Sequence, residues 1–256
     1  MIKLIACDLD GTLLRDDKTI SEYSKMVLNK CKERGIYFVI ATARSPFWLQ
    51  RLDYPAPDAV ISNNGCIARI EGQVVYERFM SEADYLLSRL AAMDIKIMTE
   101  GMGSFYQNFP IKHFKYSKEL QAAGLPAVIT DFAGGAPAPI FNISAELDVK
   151  RVQELEAAFP SFIFLTFREE RSMWVYIADK KVTKWTALSV VLNRLGVDKG
   201  SAAAFGDDFN DIDMLRNVGM GVAVDNAVHK AKQAATYIAP TNEDDGVAKF
   251  IEEFIL

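Results

Sequence analysis

Short apolar runs alternate with amphipathic stretches through the first third of the chain. The apolar runs, which predict strands, cover residues 2–7, 36–42 and 59–62, and the amphipathic stretches, which predict helices, cover residues 21–34 and 46–52. This order is typical of βαβ units, which build a parallel sheet through right-handed crossovers. A hairpin is predicted next, because Gly72 and Gln73 separate the apolar runs 66–70 and 74–79.

The same alternation returns after residue 181. It predicts helices at 182–195, from about 210 and at 247–254, and strands at 202–205, 221–224 and 237–239. The middle of the chain differs: after a helix at 83–93 and a turn-rich segment at 133–139, the pattern predicts a strand at 140–145, a helix at 149–158 and strands at 162–167 and 173–178. We therefore predict an α/β protein whose doubly wound, Rossmann-like core comprises residues 1–80 and 181–256, with an α+β domain inserted at 81–180.

The amino-acid composition limits the kinds of protein that this chain can be. Half of the 256 residues are hydrophobic, which is enough for a substantial core, and 29 basic against 34 acidic residues give a net charge of -5. No basic run favours a nucleic acid polymer as a partner, and no apolar stretch predicts a leader or a membrane span. The three cysteines, Cys7, Cys31 and Cys66, are odd in number and lack metal-type spacing, so we expect buried, reduced thiols in a cytoplasmic protein.

Acidic residues stand at the predicted ends of two strands. Asp8 and Asp10 follow the first strand, and an extended backbone would point both to the same side, where a cation or a shared proton must relieve their repulsion. Mg²⁺ is the cation that suits two carboxylates best. The alternative is structural: Asp8 caps a turn and Asp10 with Gly11 reverses the chain.

The second acidic cluster is G-D-D-F-N-D at residues 206–211, directly after another strand. Asp207 and Asp211 are four apart, as at a helix start, where the helix dipole also favours acidic groups. That alternative explains Asp211 but not Gly206, Asp207 and Asn210 together. A magnesium site shared by the two strand ends accounts for the cluster better.

Six motifs in order make the chain resemble the haloacid dehalogenase-like superfamily, and within it the Cof-type phosphatases with an α+β cap. The resemblance extends over almost the whole chain. The motifs are D-L-D-G-T at 8–12, I-A-T-A-R at 40–44, S-N-N-G-C at 62–66, K-W-T-A-L at 184–188, G-D-D-F-N-D-I-D-M-L at 206–215 and T-N-E-D-D-G-V-A at 241–248.

The resemblance implies roles for the acidic residues. Asp8 would be the nucleophile that forms an aspartyl phosphate, and Asp10 the general acid and base. Mg²⁺ would be held by the Asp8 carboxylate, the Asp10 backbone carbonyl and Asp207, with Asp211 in support.

The resemblance also implies a phosphate-binding set. Thr42 would contribute a hydroxyl and Lys184 a positive charge, while the backbone N–H groups of Leu9 and Ala43 and the amide of Asn210 would complete the cradle. Two of these residues have ordinary alternatives: Thr42 as the N-cap of the helix that follows it, and Lys184 as a solvated residue in the first turn of its helix.

Arg44, Asn64 and Gly65 occupy family positions near the substrate entrance, although Arg44 is equally well explained as a surface ion-pair partner. The chain departs from the family pattern where glycine is usual, with Ala43 after the motif threonine and Trp185 after the motif lysine. Asp225 likewise replaces a frequent glycine, which leaves open whether its loop has a role in positioning Asp207.

The function predicted on these grounds is Mg²⁺-dependent hydrolysis of a small phosphorylated metabolite. A phosphomutase or phosphotransferase on the same scaffold is an alternative, and so is a catalytically weak protein that binds a phosphorylated ligand. The resemblance disfavours dehalogenation, because the dehalogenase branch of the superfamily lacks the second aspartate and needs no metal, whereas Asp10 and Asp207 are both present here. Sugar phosphates, nucleotides, flavin mononucleotide and pyridoxal phosphate all remain open as substrates, and so does the oligomeric state.

Overall fold

A computed structural model describes residues 1–50, 52–110, 127–169 and 172–256. The chain divides into two compact units, one formed by Met1–Glu77 with Val182–Leu256 and the other by Arg78–Lys181. Among the described residues, every helix is too short or too polar to span a lipid bilayer.

The strands of the described residues are β1 (Leu4–Cys7), β2 (Tyr37–Ala41), β3 (Ala59–Ser62), β4 (Ile67–Ile70), β5 (Gln73–Glu77), β6 (Ile97–Gly101), β7 (Ser104–Gln107), β8 (Ala127–Ile129), β9 (Ile140–Glu146), β10 (Phe162–Glu169), β11 (Ser172–Asp179), β12 (Ala202–Gly206), β13 (Met220–Val224) and β14 (Tyr237–Ala239). The helices are α1 (Glu22–Glu33), α2 (Pro46–Leu49), α3 (Ala83–Ala91), α4 (Val149–Ala158), α5 (Lys184–Leu195), α6 (Ile212–Asn217), α7 (His229–Ala234) and α8 (Gly246–Phe254).

The first unit contains an eight-stranded sheet in the order β14-β13-β12-β1-β2-β3-β4-β5. The strands from β14 to β3 are parallel, and β4 and β5 form the predicted antiparallel hairpin. From β1 the chain winds outward through β2 and β3, whereas β12 continues to β13 and β14 on the other side. The winding direction thus changes between β1 and β12, and ligands of open α/β sheets bind at the carboxyl ends of strands at such a point.

The central strands are buried on both faces, which explains why their sequences are apolar runs rather than alternating ones. Every residue of β1 and of β12 is buried. Leu4 pairs with Ala202 on one side and with Tyr37 on the other. The predicted parallel-sheet α/β core is confirmed, and all three cysteines are buried as expected.

The second unit contains a six-stranded sheet in the order β10-β11-β9-β6-β7-β8. Leu86 and Leu90 of α3 and Leu155 of α4 belong to its buried apolar cluster, together with Ile143 and Val175 of the sheet. The strands β6, β7 and β8 were not predicted. In β6 the sequence I-M-T-E-G carries polar residues and ends in glycine, so it gives a weak apolar signal.

Candidate active site

Three carboxylates meet at the carboxyl ends of β1 and β12. Asp8, Asp207 and Asp211 each place one oxygen so that all three atoms lie within 4.8 Å of one another. Asp8 and Asp211 are buried, and Asp207 is partly exposed. Carboxylate oxygens are the donors that Mg²⁺ and Ca²⁺ prefer, so this acidic cluster has the chemistry to hold a divalent metal ion.

Lys184 lies among these carboxylates. Its Nζ is 2.6 Å from Oδ1 of Asp8 and 2.7 Å from Oδ1 of Asp211, and its side chain is 1% exposed. Burial acts to lower the pKa of Lys184, but the two carboxylates outweigh it and raise that pKa above its usual value. Lys184 is therefore a buried counter-ion, and the alternative of a solvated first-turn lysine is wrong.

Lys184 compensates only part of the negative charge of the cluster. Burial raises the pKa of the Asp8 carboxyl well above its usual value, and the positive charge of Lys184 opposes that rise. Burial likewise raises the pKa of Asp207 to about 6, against the hydrogen bond from Thr12. Both shifts reflect carboxylates that lack sufficient positive charge around them, which is the environment that a divalent cation stabilises.

Asp211 connects the residues of the second acidic cluster through hydrogen bonds. Its Oδ1 accepts from Lys184, and its Oδ2 accepts from the backbone N–H groups of Asp207 and Asp208 at 3.0 and 3.1 Å. Gly206 is required beside it, because a Cβ at that position would lie 2.4 Å from Cβ of Asp211. The glycine and the second aspartate of the motif thus fix the loop that carries Asp207.

Thr12 orients the carboxylate of Asp207. Its hydroxyl donates to Oδ1 of Asp207 at 2.7 Å, across 195 residues of sequence. Sequence reasoning gave Thr12 no role, although it is the last residue of the D-L-D-G-T motif. The strand order is the signal that would have indicated a role for Thr12, because it places the residues after β1 beside the residues after β12.

The side chain of Asp10 is turned toward cationic groups. Arg44 donates to both of its oxygens, with Nε 2.6 Å from Oδ2 and Nη2 2.7 Å from Oδ1, and Lys18 is 3.0 Å away. Burial acts to raise the pKa of Asp10, but these hydrogen bonds outweigh it and lower the pKa below its usual value. Arg44 and Lys18 therefore neutralise the Asp10 side chain, and relief of Asp8 and Asp10 by one metal ion stays a prediction. The Asp10 backbone carbonyl as a metal ligand stays a prediction.

The predicted phosphate-binding segments contact each other. Thr42 is buried directly after β2, and Asn64 donates its backbone N–H to the Thr42 carbonyl at 3.0 Å. The amide of Asn210 in turn donates to Oδ1 of Asn64 at 2.9 Å. Thr42 is not the N-cap of α2, since that position belongs to Ser45. The structure thus brings Thr42, Asn64 and Asn210 together beside the loop that carries Arg44.

Two backbone donors are available near these segments. Leu9 is buried and Ala43 is exposed. Within the described part of the chain, neither backbone N–H has a hydrogen-bond acceptor. Buried or preorganised N–H groups without an acceptor are suited to bind an anion.

Gly65 allows the S-N-N-G loop to approach the start of α5. Its φ is +98°, and a Cβ would lie 2.2 Å from the Thr183 carbonyl oxygen and 2.9 Å from the Lys184 nitrogen. No side chain fits there without moving the backbone that carries Lys184.

Replacement of Gly65 by alanine is expected to cost clearly more stability than the same change at Gly72. Gly72 has a φ of +79° but nothing within 4 Å of its Cβ position, so Gly72→Ala should cost only the left-handed strain of about 1–2 kcal/mol. Gly65→Ala adds a backbone clash and should cost roughly 2 kcal/mol more. Urea unfolding of both variants measures the difference, and equal losses would refute the close approach.

The three departures from the family pattern leave the acidic cluster intact. Ala43 is exposed, and Trp185 is partly buried against the core. Asp225 is exposed and pairs with Lys232 at 2.7 Å. The loop after Asp225 still reaches the site, because the Val228 N–H donates to the Asp207 carbonyl at 2.8 Å.

Comparisons with known proteins agree on one family. The model of the haloacid dehalogenase-like hydrolases matches residues 5–251. Two Bacillus subtilis proteins named 5-amino-6-(5-phospho-D-ribitylamino)uracil phosphatase are similar to the chain: YitU is 26% identical over 98% of this chain and 97% of its own length, and YcsE is 29% identical over 100% and 96%. The solved structure of a phosphatase from Bacteroides thetaiotaomicron is 25% identical with a TM-score of 0.81, covering 99% of this chain and 95% of its own.

Proposed function

Because the chain belongs to the haloacid dehalogenase-like hydrolase family and is a phosphoric monoester hydrolase, we propose that it hydrolyses a small phosphorylated metabolite through an aspartyl phosphate on Asp8, with Mg²⁺ bound. The observation that carries the proposal is the grouping of Lys184 with Asp8, Asp207 and Asp211 where the winding direction of the sheet changes. A nucleophilic carboxylate, a buried counter-ion and a candidate metal site are the groups that phosphoryl transfer needs.

Asp8 performs the first displacement. Its Oδ1 accepts from Lys184, whereas among the described residues no group donates a hydrogen bond to its Oδ2. Oδ2 forms the bond to phosphorus as the ester P–O bond breaks, and the leaving oxygen takes a proton from Asp10. The N–H groups of Leu9 and Ala43 and the Thr42 hydroxyl bind the phosphate oxygens.

Asp10 must leave Arg44 before it can act. A carboxylate held by Nε and Nη2 of Arg44 and by Lys18 is ionised and cannot donate a proton. Since phosphate also binds arginine in a bidentate manner, the substrate competes with Asp10 for Arg44; the released Asp10 carboxylate takes up a proton from solvent and gives it to the leaving oxygen. In the second step Asp10 takes a proton from the water that hydrolyses the aspartyl phosphate, which restores Asp8 and the acid.

The acidic cluster fits Mg²⁺ because its donors are carboxylate oxygens that carry excess negative charge. The Asp8 and Asp207 carboxylates and the Asp10 backbone carbonyl would hold the ion, and Asp211 would support them through the loop it fixes. When bound, Mg²⁺ offsets the repulsion between the Asp8 carboxylate and the negatively charged phosphate.

Removal of divalent metal is expected to lower phosphatase activity at least about 100-fold, since a metal ion supplies several kcal/mol of charge stabilisation in such reactions. Hydrolysis of p-nitrophenyl phosphate in excess EDTA measures the loss, and added Mg²⁺ should restore the rate whereas added NaCl of equal ionic strength should not. Undiminished turnover in EDTA would refute the metal assignment.

We propose that the inserted region, residues 81–180, selects the substrate. A panel of phosphorylated metabolites, ranked by kcat/KM, identifies it, beginning with 5-amino-6-(5-phospho-D-ribitylamino)uracil because two relatives are named for that activity. Sugar phosphates, nucleotides, flavin mononucleotide and pyridoxal phosphate complete the panel. Phosphate transfer to an added sugar would indicate a phosphotransferase, and binding without turnover would indicate a phosphorylated-ligand receptor.

We also propose that the protein works in the cytoplasm. Its three thiols, at Cys7, Cys31 and Cys66, are all buried. Buried thiols that carry no metal-type spacing suit a reducing compartment.

A further inference from the structure

Two asparagine side chains outside the proposed mechanism connect the last third of the chain to the segment after Asp10. The amide of Asn226 donates to the Gly11 carbonyl at 2.7 Å, and its Oδ1 accepts from the Asn242 backbone N–H at 3.0 Å. Asn242 is 4% exposed, and its own amide donates to the Leu14 carbonyl at 3.0 Å. The donor and the acceptor of the Asn226 carboxamide thus hold the segment that contains Gly11 against the segment that contains Asn242.

The segment that Asn226 holds is the one that orients Asp207. Thr12 donates its hydroxyl to Oδ1 of Asp207, and Gly11 lies so close that a Cβ would be 2.5 Å from Oδ2. The loop that begins with Asn226 also holds the backbone of Asp207, through the hydrogen bond from Val228. A shift of Gly11 and Thr12 therefore changes the hydrogen bond from Thr12 to the Asp207 carboxylate and the space that Gly11 leaves for that carboxylate.

We propose that Asn226, supported by Asn242, is a positioning residue that sets the affinity of the acidic cluster for its metal ion. The inference rests on the proposed function only in taking Asp207 as a metal ligand. Partners that hold metal-ligating groups commonly change metal affinity by about 10–100-fold when they are removed. Alanine removes both hydrogen bonds of Asn226, whereas aspartate keeps the acceptor and loses the donor to Gly11.

The surrounding contacts allow Asn226 to be replaced without loss of the local fold. Arg15 pairs with Asp245 at 2.9 Å, and Glu243 accepts from the Asp16 N–H at 2.6 Å. These contacts hold the same segment and do not involve Asn226, whose side chain is exposed. We therefore expect Asn226→Ala to fold, with the segment held less closely at Gly11.

Calorimetric titration of metal-free protein with Mg²⁺, without substrate, tests the inference. Asn226→Ala should raise the dissociation constant at least about tenfold. The matched control is Asn217→Ala, whose amide also donates to a backbone carbonyl, that of Asp213 at 2.8 Å, and whose affinity should stay within about twofold of wild type. At saturating Mg²⁺ the kcat of Asn226→Ala should return to within about twofold of wild type, which a general structural defect would not allow.

The outcomes separate this inference from the proposed function. Wild-type affinity in Asn226→Ala would overturn the inference alone, whereas absence of Mg²⁺ binding in the wild type, or undiminished binding in Asp207→Asn, would overturn the metal assignment and the inference with it. If circular dichroism showed Asn226→Ala to be unfolded, Asn226→Asp and Asn242→Ala would decide the matter. Each should weaken Mg²⁺ binding, and wild-type affinity in both would overturn the inference.

Discussion

Asp8→Asn is expected to lower kcat for p-nitrophenyl phosphate by at least about 10⁴-fold while leaving the fold intact. A carboxamide is neutral and a poor nucleophile, so no aspartyl phosphate forms. It keeps an oxygen at the position of Oδ1, where Lys184 donates its hydrogen bond at 2.6 Å, so the buried contact survives. Initial rates at saturating Mg²⁺ measure the loss, and circular dichroism checks the fold.

The matched control for Asp8 is Asp225→Asn. Asp225 is also an aspartate paired with a lysine, Lys232 at 2.7 Å, but both side chains are at the surface. Its replacement should change kcat less than about twofold. Rapid-quench mass spectrometry of the wild type should find phosphate on Asp8 during turnover, and sustained activity in Asp8→Asn would refute the covalent mechanism.

Lys184→Met is expected to destabilise the metal-free protein by about 3–5 kcal/mol, because it leaves buried carboxylates without their counter-ion. Asp8 and Asp211 are 5% and 0% exposed, so water cannot replace the lost ammonium group. Urea unfolding in EDTA at pH 7.5 measures the loss. Added Mg²⁺ should recover part of the stability, since it binds the same carboxylates in the native state alone.

The pH dependence of Lys184→Met has a defined sign. Burial already raises the pKa of Asp8 in the native chain, so the folded state binds a proton at a pH where the unfolded state has lost it. Stability of the variant relative to wild type should therefore improve as the pH is lowered from 7.5 and worsen as it is raised. A loss that did not vary with pH would contradict the assignment of Lys184 as counter-ion.

Lys25→Met is the matched control for Lys184. Lys25 also joins two carboxylates, Glu22 at 2.9 Å and Asp53 at 2.6 Å, but their side chains are 89% and 91% exposed. Water solvates both carboxylates after the change, so the cost should stay below about 1 kcal/mol. Equal losses of stability in Lys184→Met and Lys25→Met would mean that burial does not determine how much Lys184 stabilises the protein.

The core sheet was largely predictable because its strands are buried on both faces. A parallel strand covered by helices on each side is a continuous apolar run, and the run at 59–62 has the same bounds as β3. The edge strand β14, of which Tyr237 and Ile238 are exposed, also has the bounds predicted for it, 237–239. The helix predicted at 149–158 likewise has the bounds of α4, where Asp148 supplies the N-cap. The helix predicted at 46–52 ends at Leu49 instead.

The partners of the acidic residues were not predictable from local patterns. Asp10 meets Arg44 across 34 residues and Thr12 meets Asp207 across 195, and no periodicity of the sequence reports such pairs. Lys184 illustrates the same limit, since its place in the first turn of a helix predicts exposure, yet strand order buries it. The motifs predicted the candidate site residues, whereas the strand order determines what each of them contacts.

The pairing of β1 with β12 has a consequence for how the enzyme is made. Leu4 of β1 can pair with Ala202 of β12 only after almost two hundred residues have been synthesised. Until then the nascent chain carries an apolar strand, β1, with one unpaired edge. Such an edge is a target for chaperones and for aggregation, and the late closure of a distant strand pair makes folding slow. On the proposed mechanism, a nascent chain that still lacks Lys184 and Asp207 cannot hydrolyse phosphate esters, so activity would begin only after β12 and the loop that follows it have been synthesised.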